Sequence, residues 1–161
     1  MREMAFLDSG FFVAYSNKGD EYHQHAQDLF ADILNGRVSR PHTCDYVLNE
    51  AVNTVWTRTK DMRIASSLCR EMTNPKYWTL HHVSKECVEW CVEQYAQNST
   101  LTLSFTDWVV IWMAREKMQD TMITTDAPLA HSLGRWKMKA ILLVRNDEFL
   151  KRRDEGIRSR R

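Results

Sequence analysis

Short apolar runs alternate with helical stripes along nearly the whole chain, and this alternation restricts the possible folds more than any other feature. "MAFLD" reads as a brief buried strand, and "FFVAY" begins a helical segment after Ser9. In "DEYHQHAQDLFADILNG" the residues Ala26, Leu29, Phe30, Ile33 and Leu34 recur at helical spacing, and Gly36 ends the stripe. "RVSRP" is a short strand candidate. "TCDYVLNEAVNTVWTRT" carries Val47, Leu48, Ala51, Val52, Val55 and Trp56 on one helix face. A further helix is expected from about Met62 to Met72, with Ala65, Leu68, Cys69 and Met72 inward, and "NPK" breaks it. "YWTLHHV" reads as a strand and "SKECVEWCVEQYAQ" as a helix, with Ser84 at its N-cap and Glu86 in its first turn. Then come the helix "SFTDWVVIWMAREKM", the strand "TMITT", the short helix "APLAHSLG" and the strand "KAILLV". Such a chain is expected to be an α/β protein, a parallel sheet with helices packed on both faces.

At 161 residues the chain is expected to make one domain, over residues 1–150, with a basic and loose tail over residues 151–161. The formal net charge of +1 hides an asymmetry. From Arg145 onward, seven Lys/Arg stand against four Asp/Glu, so the end of the chain is basic and the remainder slightly acidic. A basic end can help to hold a polyanion, or can simply be solvated. No apolar stretch approaches the roughly 18–20 residues that span a bilayer, and "MREMAFLDSG" lacks a secretory apolar region. The expectation is a cytoplasmic protein that does not engage a membrane. Of the four cysteines, Cys44, Cys69, Cys87 and Cys91, none forms a CxxC pair, and no disulfide framework is expected. Cys87 and Cys91 could share a zinc ion at their helical spacing, but no matching ligand pair accompanies them, and two buried helix cysteines are the commoner meaning.

Ligands of open parallel sheets bind beyond the carboxyl ends of the strands, and acids collect where those ends should lie. Asp8 closes the first strand, Asp126 follows the "MITT" strand, and Asp107 stands in the first turn of its helix. Glu50 lies inside a helix, at the border of its apolar stripe. Each acid also has a plain structural reading: an Asx turn for Asp8, a capping box in "SFTD" for Asp107, an N-cap before "APL" for Asp126, and an exposed helix acid for Glu50. Carboxylates held close together repel unless protonated or neutralised by a cation. An all-oxygen set suits a hard divalent ion, Mg²⁺ or Mn²⁺, whose chemistry points to phosphodiester hydrolysis.

The ordered set "FLDSGFFVAY", "YVLNEAVNTVWTR", "LTLSFTDWVVIWMARE" and "MITTDAPLAH" strongly resembles the PIN-domain nucleases, especially the VapC-like toxin ribonucleases, over residues 4–144. The resemblance implies a three-layer α/β/α domain with a central parallel sheet, in which Asp8, Glu50, Asp107 and Asp126 bind Mg²⁺ or Mn²⁺. It implies Ser9, Thr106 and Thr124 as supporting hydroxyls that orient the carboxylates or water. The activity it implies is metal-dependent endonucleolytic cleavage of RNA by an activated water. It further implies an antitoxin partner, as in a toxin–antitoxin pair, and a homodimer. One departure is visible: where the family often has a further polar or acidic residue and then Phe after the last Asp, this chain has "APLAH".

Rival phosphate chemistries fail on specifics. A haloacid-dehalogenase-type phosphatase needs a second acid two residues after Asp8, where Gly10 stands, and there is no G-x-x-x-x-G-K-[ST] or GxGxxG loop. The histidines in "HQH" and the His81-His82 pair have no third ligand in view. Trp108 and Trp112 read as core or subunit contacts, and Arg58, Lys60 and Arg63 as a solvated or phosphate-gripping cluster. Three functions stay open: the toxin ribonuclease, a stand-alone RNA-processing nuclease, and a non-catalytic RNA-binding or scaffold domain of the same fold.

Overall fold

The structure, a computed structural model, describes residues 4–117 and 119–158. Its strands are β1 (Ala5–Leu7), β2 (His42–Cys44), β3 (Thr79–His81), β4 (Thr121–Thr124) and β5 (Lys139–Leu142). They form one five-stranded parallel sheet in the order β3-β2-β1-β4-β5, with Phe6 of β1 registered against His42 on one side and Met122 on the other. The helices are α1 (Ser9–Ser16), α2 (His23–Leu34), α3 (Asp45–Thr59), α4 (Met62–Met72), α5 (Lys85–Gln97), α6 (Phe105–Glu116), α7 (Ala127–Ser132) and α8 (Asn146–Arg158), and a 3-10 turn covers Leu133–Trp136.

The strand order dictates the layering. From β1 the chain steps outward through β2 to β3, then returns across the sheet to β4 on the far side of β1. Right-handed crossovers therefore place α1–α4 over one face and α5–α7 over the other. Within those layers α1 packs on α2 and α3, α3 on α4, α5 on α6, and α8 closes against α2. This is the three-layer α/β/α arrangement expected for a PIN-like domain.

Burial follows position in the sheet. Ala5, Phe6 and Leu7 of the central strand are fully buried, since helices cover both faces there, whereas β3 and β5 are edge strands and only partly covered. Phe11, Phe12, Trp78, Trp108, Met113 and Met122 fill the two interlayer cores. Full burial of side chains of this kind stabilises by about 1.5–3 kcal/mol each. Trp78 meets Phe12 edge-on at 5.1 Å and donates its indole N–H to the Met72 carbonyl at 3.1 Å. The helix stripes lie inward as their spacing implies, except that Leu34 and Trp56 at the margins are exposed.

The second strand lies later than "RVSRP" suggests. Val38 makes only an isolated bridge, and the ladder to β3 is formed by His42, Thr43 and Cys44. Pro41 has no N–H to give, but its carbonyl accepts from Thr79 N–H at 2.9 Å, so pairing begins immediately after the proline. Cys87 and Cys91 are buried on one face of α5 with their sulfurs 3.9 Å apart. The basic segment from residue 151 follows on within α8 as far as Arg158, and residues 159–161 fall outside the described residues. Among the described residues no helix is long and apolar enough to cross a membrane.

Candidate active site

The strand order reverses between β1 and β4, so their carboxyl ends open a crevice, the usual ligand position in such sheets. Asp8 sits at that point. Its N–H donates to the Ile123 carbonyl at 3.0 Å, continuing the β1–β4 pairing, and its side chain is buried at the start of α1. Thr124, at the end of β4, donates its hydroxyl to Asp8 Oδ2 at 2.6 Å. The same Thr124 oxygen accepts the Asp126 N–H at 2.9 Å. One threonine thus joins the two acids at the ends of adjacent strands.

Glu50 comes from the layer above. It is half-buried on α3, and Ser9 donates its hydroxyl to Glu50 Oε1 at 2.6 Å, tying the start of α1 to α3. Asp107 comes from the opposite layer as the third residue of α6. Its N–H donates to Ser104 Oγ at 3.1 Å while Ser104 N–H donates to Asp107 Oδ2 at 2.6 Å, a complete capping box. Asp126 caps α7, accepting the Leu129 N–H on Oδ1 at 2.7 Å, with Pro128 in the first turn. The capping readings of Asp107 and Asp126 therefore hold, and they fix both carboxylates at the rim.

All four acids line one cleft of about 460 Å³, together with Ser9, Ser104, Thr125 and others. Close approach of two elements makes the cleft possible. A Cβ at Gly10 would lie 2.0 Å from Thr125 Oγ1 and 3.0 Å from Thr125 N, so only glycine lets α1 begin this near the β4–α7 loop. Of the three supporting hydroxyls expected, Ser9 and Thr124 bond to acids of the cleft, whereas Thr106 does not line it. Ser104 does line the cleft, and it braces Asp107 through the capping box. Asp20 and Thr125 also line the cleft, and neither was singled out from the sequence; both reach it through loop packing that has no local signature.

The electrostatics are those of acids without counter-charge. Burial, followed at longer range by Glu50 and Asp126, outweighs the hydrogen bonds and pushes Asp8 up to about 6. Burial, followed by the charge of Asp8, pushes Asp107 up to about 7. Among the described residues none of the four carboxylates has an ion-pair partner. Nor do three His, Cys, Asp or Glu side chains among the described residues stand close enough to hold an ion on their own. The donor set nevertheless fits Mg²⁺ or Mn²⁺: all ligands would be oxygen, and Mg²⁺ commonly keeps several waters and takes only one or two carboxylates directly.

No family model and no curated protein matches the sequence. Solved structures do match. VapC20 of Mycobacterium tuberculosis, described as a sarcin-ricin loop cleaving toxin, superposes with a TM-score of 0.71 at 22% identity, covering 80% of this chain and 94% of that one. PAE2754 of Pyrobaculum aerophilum superposes with a TM-score of 0.58 at 13% identity, covering 86% of this chain and 83% of that one. Parallel strand order, layering and the match to VapC20 agree: the chain is a three-layer α/β/α domain of the PIN-like fold.

Proposed function

We propose that this protein is a metal-dependent endoribonuclease that hydrolyses RNA phosphodiester bonds, and that it acts as the toxin of a toxin–antitoxin pair. The observation that carries the proposal is the gathering of Asp8, Glu50, Asp107 and Asp126 from four elements along one cleft, none of them in an ion pair among the described residues. The likeness to VapC20, a toxin that cleaves the sarcin-ricin loop, favours structured RNA as the substrate class and an antitoxin as the partner.

Asp8, Glu50, Asp107 and Asp126 would hold Mg²⁺ or Mn²⁺. When bound, that ion supplies Lewis-acid stabilisation of the phosphoryl charge and makes water more acidic. The protein contributes orientation. The Thr124 hydroxyl holds Asp8 Oδ2, Ser9 holds Glu50 Oε1, and the capping box fixes Asp107, so each of these carboxylates has a set orientation on the cleft wall. Raised proton affinity at Asp8 and Asp107 means that a proton competes with the cation below neutrality.

A second reading, a domain that binds RNA without cleaving it, is favoured by Asp126, whose Oδ1 is committed to capping α7 and which is followed by "APLAH" instead of a further acid. One experiment separates the two: incubation of labelled RNA with Mn²⁺, Mg²⁺ or EDTA, beside Asp8→Asn. Cleavage that needs metal and is lost in Asp8→Asn supports the nuclease. Binding that survives EDTA, with no cleavage in either metal, supports the second reading.

A further inference from the structure

We propose that Arg58 is the phosphate clamp of the cleft, holding the strand beside the bond to be cut; this deepens the ribonuclease reading and rests on it. Glu50, Thr54 and Arg58 are spaced i, i+4, i+8 on α3, and all three line the cleft. At 1.5 Å per residue, Arg58 is rooted about 12 Å along the helix from Glu50. That separation puts it beyond the carboxylate cluster, over a flanking nucleotide.

The cleft is electrically divided. At the Arg58 end both acids carry a cation: Asp20 pairs with Arg58 at 3.1 Å and Glu21 with Arg145 at 3.1 Å. At the other end Asp8, Glu50, Asp107 and Asp126 have no ion pair among the described residues. A polyanion laid along the groove is repelled at the second end unless a metal is present, and meets a neutralised surface at the first. Among the described residues that line the cleft, Arg58 is the one basic side chain.

Its guanidinium is both held and available. The Arg58 side chain is 58% exposed, while its partner Asp20 is 4% exposed. Asp20 is itself immobilised: Oδ1 accepts the Tyr22 N–H at 2.9 Å, and the Asp20 carbonyl accepts the Asn146 amide N–H at 3.0 Å. The ion pair occupies one N–H, on Nη1, leaving most of the five guanidinium donors to a phosphate. Tyr22 lines the same end and offers a ring of the kind on which bases stack.

The test compares Arg58→Ala and Arg58→Gln in an Asp8→Asn parent, which is expected to bind without cutting. Affinity for two labelled RNAs, a single strand and a hairpin, is measured by anisotropy over a salt series. Gln can still donate to Asp20 but carries no charge, so it keeps the brace and removes the clamp. Both variants should bind about tenfold more weakly at low salt, and the slope of log K against log salt should fall by about 0.7. In the cleaving protein Arg58→Gln should raise KM and leave kcat within about twofold. Unchanged affinity and slope in Arg58→Gln, with a lowered Tm in Arg58→Ala, would mean a brace alone and overturn the clamp while leaving the ribonuclease reading intact. No RNA binding by the parent overturns both.

Discussion

Asp8 is costly to the protein that carries it. It is buried, and its ordinary carboxylate value of 3.8 is raised to about 6, so the folded state holds a proton that the unfolded chain releases. Below about pH 4 the group is protonated in both states and costs nothing. Between there and pH 6 the cost grows, and above pH 6 it is complete, at about 2–3 kcal/mol by the free energy of each pH unit. Asp8→Asn should therefore be more stable than the parent at pH 8 by about that amount, with the difference vanishing near pH 4. Thr124 can donate to the amide oxygen as it does to the carboxylate, so the substitution keeps the local bond. Urea unfolding of both proteins at pH 4, 6 and 8 measures this, and a constant difference across the series would refute it. The burden on Asp8 was legible in the sequence, where an acid ends an apolar strand for no reason of packing. Asp20 was not legible, because its significance comes from Arg58 and Asn146, 38 and 126 positions away.

Elements set the precision of the cleft. The N-terminus of α1 is pressed against the β4–α7 loop, and Gly10 is the residue that allows it. Gly10→Ala places a methyl group against Thr125 backbone and hydroxyl together, so rotation of one side chain cannot relieve the clash. The start of α1 should move, carrying Ser9 away from Glu50 and Asp8 from Thr124. We expect a loss of about 1–3 kcal/mol, typical of overpacking, and loss of RNA cleavage out of proportion to it. Gly134→Ala is the control, because nothing lies within 4 Å of a Cβ there. Activity retained in Gly10→Ala at wild-type Tm would show that the approach is looser than drawn. Helix stripes and caps were readable because they are local: Ser84 caps α5 through Cys87 N–H, and Asp107 and Asp126 cap as their patterns imply. The place of β2 was not, since His42, Thr43 and Cys44 have no alternating pattern and become a strand only by pairing with β3.

At the scale of the molecule, the fold brings acids from the end of β1, from α3, from α6 and from the β4–α7 loop to a single reversal of strand order, none of them in an ion pair among the described residues. If the cleft holds the proposed metal ion, stability, proton binding and metal binding are linked. An ion that binds the folded cleft and not the unfolded chain stabilises in proportion to the logarithm of its concentration over Kd, about 2.7 kcal/mol at a hundredfold excess. Protons oppose it, because Asp8 and Asp107 are raised to about 6 and about 7 and must be ionised to serve as ligands. Mn²⁺ should thus raise the Tm strongly at pH 8 and barely at pH 5, whereas without metal the contribution of these two acids runs the other way and favours pH 5. Asp8→Asn should lose most of the Mn²⁺ shift at pH 8 although it is the more stable protein there without metal. This crossing of stabilities cannot come from general salt effects, which would act on parent and variant alike. Thermal melts with Mn²⁺ or EDTA at the two pH values provide the check: an equal Mn²⁺ shift in parent and variant would place the ion elsewhere and remove the carboxylate cleft as its site.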